Sequence, residues 1–240
     1  MAFMPEVLDI RERGAVKDGQ PQLADQRLWM QISIFRGCKN PQAATQALEK
    51  AGVEAVLYES LADPAEIGVL SMSEDPETFL GALRVVFRGP VFAEFEYRPD
   101  ASMIGRTYSL GHEPDLQDWL LAKPRRTVFN PDWPWAVWYP LRRAGGFNAL
   151  PSEEQVPILR EHGKIGHAFG ESDLAHDVRL ACFGVDRNDN DFVIGLVGKD
   201  LYPLSRCVQD MRKTRQTSQF IQNMGPFFVG RVVWRSKKRH

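Results

Sequence analysis

"HDVRLACFGVDRNDNDFVIGLVG", residues 176–198, decides the fold. Two apolar, β-branched runs, 176–186 and 191–198, flank "DRNDND" (186–191), whose Asp and Asn residues favour a turn. The stretch reads as two strands joined in a hairpin. Before it lies "PSEEQVPILREHGKIGHAFG" (151–170), which has the length of a helix capped near Leu150–Ser152, and before that the strand-like "WAVWYPLRR" (135–143). After it come "DLYPLSRCVQDMRKTRQTSQFIQ" (200–222), carrying one long helix, and "PFFVGRVVW" (226–234), a closing strand. The order is β-α-β-β-α-β, the ferredoxin-like unit.

The same order is read upstream. "RLWMQISIF" (27–35) is a strand, and "PQAATQALEKAG" (41–52) is a helix stopped by Gly52. "VEAVLYES" (53–60) and "EIGVLSMS" (66–73) are strands. "DPETFLGALRVVF" (75–87) fits a helix with Pro76 in its first turn, and "PVFAEFEYRP" (90–99) alternates like a strand. Residues 1–26 read as a loose lead-in. Residues 100–134 read as a connecting segment with one short helix in "HEPDLQDWLLAKP" (112–124). The expected fold class is therefore α+β, with two ferredoxin-like units, 27–99 and 135–235, arranged as an α+β barrel. A doubly wound parallel sheet would need a glycine-rich phosphate loop after the first strand, which "FRGCKNPQAA" (35–44) does not supply.

Bulk properties exclude several functions. A net charge of -1 over 240 residues gives no strong global pull toward nucleic acid or an anionic membrane. Cys38, Cys182 and Cys207 have no metal-like spacing, and an odd count argues against a disulfide framework. The start, "MAFMPEVLDIRERG", is charged too early for a secretory signal, and no apolar run approaches transmembrane length, so the cytoplasm is the expected compartment. The basic tail "RSKKRH" (235–240) reads as a solubilising end.

His162 is the first candidate for chemistry. Ile158 and Leu159 lie one helical turn before it, Ile165 and Gly166 one turn after, and Phe169 two turns after. This puts the imidazole on an inward face. There it is either a hydrogen-bonded core residue or a metal ligand. Gly163 and Gly166 thin the helix surface, so a flat object or a sheet could approach closely. A lone imidazole makes a poor zinc site, but it suffices for haem iron, because the macrocycle supplies four nitrogens. Arg179 shares one strand face with Ala181, Phe183 and Val185. It needs either a carboxylate partner or a functional anion. Tyr139, Arg142 and Arg143 stand at a strand end, and Arg212, Lys213 and Arg215 add charge later. These cations are solvated edges or clamps for ligand carboxylates. Trp133, Trp135, Trp138 and Phe147 offer apolar surface that a core explains equally well.

The stretches "WYPLRR", "EEQVPILREHGKIG", "DVRLACFGVDRNDNDF", "VQDMR" and "GPFFVG" resemble the chlorite dismutase superfamily, in the family's order over about 135–230. The resemblance implies haem b bound through His162, the family's proximal ligand, with Ile165 and Phe147 in the haem surround. It implies Arg179 as the distal arginine over the iron, and Tyr139 as the tyrosine of the family's "YP" motif. Arg143 and Arg212 fall where propionates are held. The implied activity is conversion of chlorite to chloride and O₂, or action on peroxide. The alternative is a coproheme decarboxylase, which takes iron-coproporphyrin III as substrate and uses Tyr139 as a radical relay. A non-catalytic haem-binding or structural protein is the third possibility. The implied assembly is a closed homo-oligomeric ring, commonly a pentamer, with a small anion or peroxide as the other partner. Two features depart from the family. Phe147 stands where tryptophan is usual, and the loop "FGESDLAH" (169–176) looks long.

Overall fold

The computed structural model describes residues 8–237; the first seven residues and the tail residues 238–240 lie outside it. In chain order the elements of the first half are β1 (Glu12–Lys17), β2 (Gln20–Ala24), β3 (Trp29–Arg36), α1 (Pro41–Ala51), β4 (Ala55–Ser60), β5 (Ile67–Ser73), α2 (Glu77–Leu80), α3 (Ala82–Phe87), β6 (Glu96–Tyr97), β7 (Met103–Arg106) and α4 (Lys123–Phe129). The second half contributes β8 (Trp135–Arg143), α5 (Gly145–Asn148), α6 (Ser152–Glu171), β9 (His176–Ala181), β10 (Phe192–Gly198), α7 (Leu201–Met211), α8 (Arg215–Phe220), β11 (Ile221–Met224) and β12 (Phe228–Arg235).

Eight of these strands close an antiparallel ring: β8, β10, β9, β7, β3, β5, β4 and β12, with β12 pairing back to β8. The chain is thus an α+β barrel of two ferredoxin-like halves. Closure follows from strands that are apolar on both faces. Their inner faces fill the barrel with Met30, Ile32, Tyr58, Leu70, Trp138 and Phe228 among others. The outer face of the first half packs under α1 and α3 through Leu48, Leu57 and Leu83. The outer face of the second half packs under α6 and α7 through Leu196, Leu204 and Cys207. Inside the barrel Gly195 leaves room for the fully buried Trp138: a Cβ there would stand 2.5 Å from its ring. Among the described residues, no helix is long and apolar enough to cross a membrane.

Several sequence expectations fall on their elements with little shift, notably β8, α6, β10 and α1. In α1 the Asn40 side chain accepts from the Gln42 amide and Gly52 closes the helix at φ 62°. Others are corrected. The lead-in is not loose: β1 and β2 form a hairpin within it. The helix expected over 75–87 breaks at Gly81 into α2 and α3. The strand expected over 90–99 shrinks to β6, preceded by a 3₁₀ turn at Phe92–Glu94. The ring strand of the first half is instead β7, within the expected connecting segment. The short helix expected over 112–124 runs on through a π-turn at Asp118–Ala122 into α4. The helix expected over 200–222 ends at Met211 and resumes at Arg215. Within "FGESDLAH", α6 continues to Glu171 and β9 begins at His176, so residues 172–175 form the connection. Of the basic tail, Arg235 belongs to β12 and donates to the Val128 and Trp133 carbonyls, while 238–240 lie outside the described residues.

Candidate functional site

The register of β8, β10 and β9 aligns Tyr139, Ile194 and Arg179 as one row across three strands. Directly paired residues in antiparallel strands point to the same face. The neighbouring rows are therefore Val137–Leu196–Asp177 and Leu141–Phe192–Ala181, on the same outer face. Trp138, Val193 and Val178 point the other way, into the barrel. Helix α6, which packs against β9, brings His162 and Ile165 to this outer side.

His162 is half-buried. Its Nδ1 lies 3.1 Å from the Thr214 hydroxyl and 3.5 Å from that of Thr217. Among the described residues no group hydrogen-bonds its Nε2. Burial, and then the charges of Arg179 and Arg143, push its pKa down to about 4. The ring is therefore neutral at physiological pH.

Arg143 closes β8. Its amide donates to the Asp191 carboxylate at 2.7 Å. Its guanidinium sits over the Phe147 ring at 4.5 Å and the Phe192 ring at 5.0 Å. Its Nε is buried without an acceptor, and burial lowers the pKa of the group. Phe147 itself is fully buried and meets Phe220 edge-on.

Arg179 has the carboxylate partner that its strand position required. Its Nε lies 2.7 Å from Asp177 Oδ2, and its guanidinium 5.0 Å from the Trp119 ring. Lys123 reaches the other Asp177 oxygen at 3.5 Å and lies 4.0 Å from the same ring. Burial opposes ionisation of Asp177, but Arg179 and Lys123 together hold its carboxyl below the usual range. Thr107, Tyr108, Trp119, Asp177 and Arg179 border a cavity of about 20 Å³, room for a water-sized molecule.

Tyr139 is 5% exposed and stacks on Phe227 with centroids 4.6 Å apart. Burial raises its phenol pKa, so the hydroxyl keeps its proton. The Arg212 guanidinium lies 6.0 Å from the Phe227 ring and 3.9 Å from the Met224 sulfur.

The structure thus gathers His162, Arg143 and Arg179 within electrostatic reach of one another, with Tyr139 in the Arg179 row and Arg212 beyond Phe227. It separates others. Arg142 turns to the Asp189 carbonyl at 2.6 Å and to the Asn188 carbonyl. Lys213 pairs with Asp210, and Arg215 donates to Gln219. Trp138 belongs to the barrel interior, not to the site. Sequence reading missed Asp177, Tyr108, Trp119, Phe227 and Thr214. Strand alternation alone could have found Asp177, two residues before Arg179. Nothing local ties Thr214 to His162, 52 residues away.

A family model described as chlorite dismutase matches residues 43–233. A heme-binding protein from Thermus thermophilus is similar in structure, with 19% identity and a TM-score of 0.64, over 86% of this chain and 91% of that one. A mutant chlorite dismutase from Candidatus Nitrospira defluvii has 12% identity and a TM-score of 0.66, over 87% of this chain and 92% of that one. At these identities the likeness establishes a common fold. No curated protein matches the sequence.

Proposed function

The chain belongs to the chlorite dismutase family, and from that premise we propose that it is an oxidoreductase that holds haem b through His162 and acts on chlorite or peroxide. One observation carries this reading: a half-buried, neutral imidazole with an unengaged Nε2, on the helix that covers the Arg179 row. Neutral imidazole is the form that iron binds.

The surrounding residues fit a macrocycle that bears carboxylates. The buried Arg143 Nε lacks an acceptor, and a propionate would supply one. At Gly163, beside His162, nothing stands within 4 Å of where a Cβ would be. Ile165 and Phe147 would supply apolar contact, and Arg212 a second cation near the macrocycle's edge. Bound haem supplies the iron at which an oxygen atom can be taken from chlorite or peroxide. Arg179 would hold the anion and its negatively charged product by charge-assisted bonds from its terminal amino groups, since Asp177 occupies Nε. Trp119 and Tyr108 wall this side.

A second reading, coproheme decarboxylation driven by peroxide, is favoured by the buried, protonated Tyr139 in the Arg179 row. There Tyr139 would give up and regain a hydrogen atom, while Arg143 and Arg212 anchor the carboxylates that remain. A paired assay separates the two. Haem-loaded protein is given chlorite and O₂ is followed; coproheme and peroxide are given separately and product mass is followed. The first reading expects O₂, lost in Arg179→Gln with the Soret band retained. Loss of two carboxyl groups without O₂ from chlorite selects the second. Protein that acquires no Soret band on haem addition refutes both.

A further inference from the structure

We propose that Thr214 fixes the tautomer of His162 and gives it a neutral partner, so that the iron receives a neutral imidazole and not one charged up by a carboxylate. This rests on the haem reading above and names the residue that would tune that site.

Thr214 lies between α7 and α8, is 2% exposed, and caps α8 by accepting from the Thr217 amide. A threonine hydroxyl has one hydrogen to give. Three acceptors surround it: the Met211 carbonyl at 2.7 Å, His162 Nδ1 at 3.1 Å and the Thr217 hydroxyl at 3.4 Å. The carbonyl is nearest; it belongs to the last residue of α7, at the negative end of the helix dipole, and it has a second lone pair to offer beside the one that takes the Thr214 amide at 3.1 Å. The hydrogen goes there. Toward His162 the hydroxyl oxygen can then only accept, which assigns the proton to Nδ1, the Thr217 hydroxyl at 3.5 Å being the more distant alternative donor to that nitrogen. A neutral imidazole has one N–H, which leaves the lone pair on Nε2. The result is a relay in which Nδ1–H donates to Oγ1 and Oγ1–H donates to the Met211 carbonyl.

The relay contains no anion. The nearest carboxylate along α6, Glu161, accepts from the Arg215 amide at 3.1 Å. Among the described residues no Asp or Glu reaches Nδ1. A carboxylate at that position would draw the Nδ1 proton and increase donation to a metal at Nε2; a hydroxyl does so far less. Ferrous iron is then favoured relative to a carboxylate-backed site.

The test compares the wild type with Thr214→Ser, Thr214→Val and Thr214→Asp. Serine keeps the relay. Aspartate keeps the helix cap and introduces the charge. Valine keeps the shape and removes the acceptor. In the apoprotein, nitrogen NMR of His162 should show Nδ1 protonated and Nε2 bare in the wild type and Thr214→Ser, and mixed tautomers in Thr214→Val. In haem-loaded protein, spectroelectrochemistry should show Thr214→Asp favouring the ferric form at least tenfold, about 59 mV for one electron, with a matching change in the ferrous iron–histidine stretch. Thr214→Ser should remain at the wild-type potential. A wild-type apoprotein protonated at Nε2, or one shared potential and stretch across all four proteins, overturns the proposal. If haem does not bind at all, the metal half falls with the haem reading, and the NMR result still decides the tautomer.

Discussion

Acid should weaken the fold through His162 in particular. In the folded chain burial and two arginine charges bring its pKa to about 4, against 6.5 for an unperturbed histidine. Between these values the unfolded chain binds the extra proton and the folded chain does not. Stability from this group is therefore complete above pH 6.5 and disappears as pH falls toward 4. At about 1.4 kcal/mol per pH unit the gap bounds the effect near 3 kcal/mol, and the partial solvent access of the ring reduces it to about 1–2 kcal/mol. Carboxylates also titrate in this range, so the measurement must be a difference. Urea unfolding of the apoprotein at pH 7 and pH 4.5 is compared for the wild type and His162→Asn, which has no titrating ring. The wild type should lose about 1–2 kcal/mol more than the variant. Equal losses would refute the placement of a neutral imidazole beside Arg179 and Arg143. Haem held on Nε2 would compete with the proton, so acid should release it only below the midpoint at which the metal-free ring protonates.

Other substitutions test other parts of the structure. Gly195→Ala forces a methyl into the buried Trp138 ring, at a cost of about 1–3 kcal/mol; thermal unfolding should begin several degrees lower, and an unchanged midpoint would contradict the packing. Arg143→Ala should weaken haem affinity about ten- to a hundredfold, the worth of a charge-assisted bond in a buried setting, as read by haem titration; an unaltered Kd would remove its propionate role. Asp177→Asn frees Arg179 and leaves two cations against Trp119. It should lower stability and strengthen azide binding to the haem-loaded protein, and failure of azide affinity to rise would show that Asp177 does not restrain the arginine.

What was legible in the sequence was what local periodicity encodes. The hairpin 176–198 and helix α6 follow from turn chemistry and spacing, and so the face that carries His162 was readable. The misread strand at 90–99 has a physical cause. Its alternating aromatics belong to a cluster: Phe92 packs on Phe35 at 5.1 Å, on Phe87 at 5.1 Å and on Phe95 at 5.5 Å. A 3₁₀ turn satisfies that cluster as well as a strand would. β7, with only four residues and one arginine, carries no alternation strong enough to announce itself. The break after α7 depends on Thr214 capping a new helix, a signal hidden inside an otherwise continuous helical pattern. The site is legible to the same depth. Individual residues can be nominated from their elements, whereas pairings such as His162 with Thr214, or Lys123 with Asp177, exist only once the chain is folded.

The ring of strands is stitched unevenly. On one side β4 and β12 run together from Val56 opposite Arg235 to Ser60 opposite Gly230; on the other, β7 and β9 meet at one position, Arg106 opposite Ala181. Gly105 lets them come that near, for a Cβ there would stand 2.7 Å from Leu180 Cβ. This fault line passes two residues from Arg179 and far along the chain from the α7–α8 junction that grips His162. Transient parting of the wall should begin at the weak stitch. It would loosen the strand that carries Arg179 while His162, held through the α7–α8 junction, stays anchored, so that the two sides of the candidate site answer to different parts of the fold.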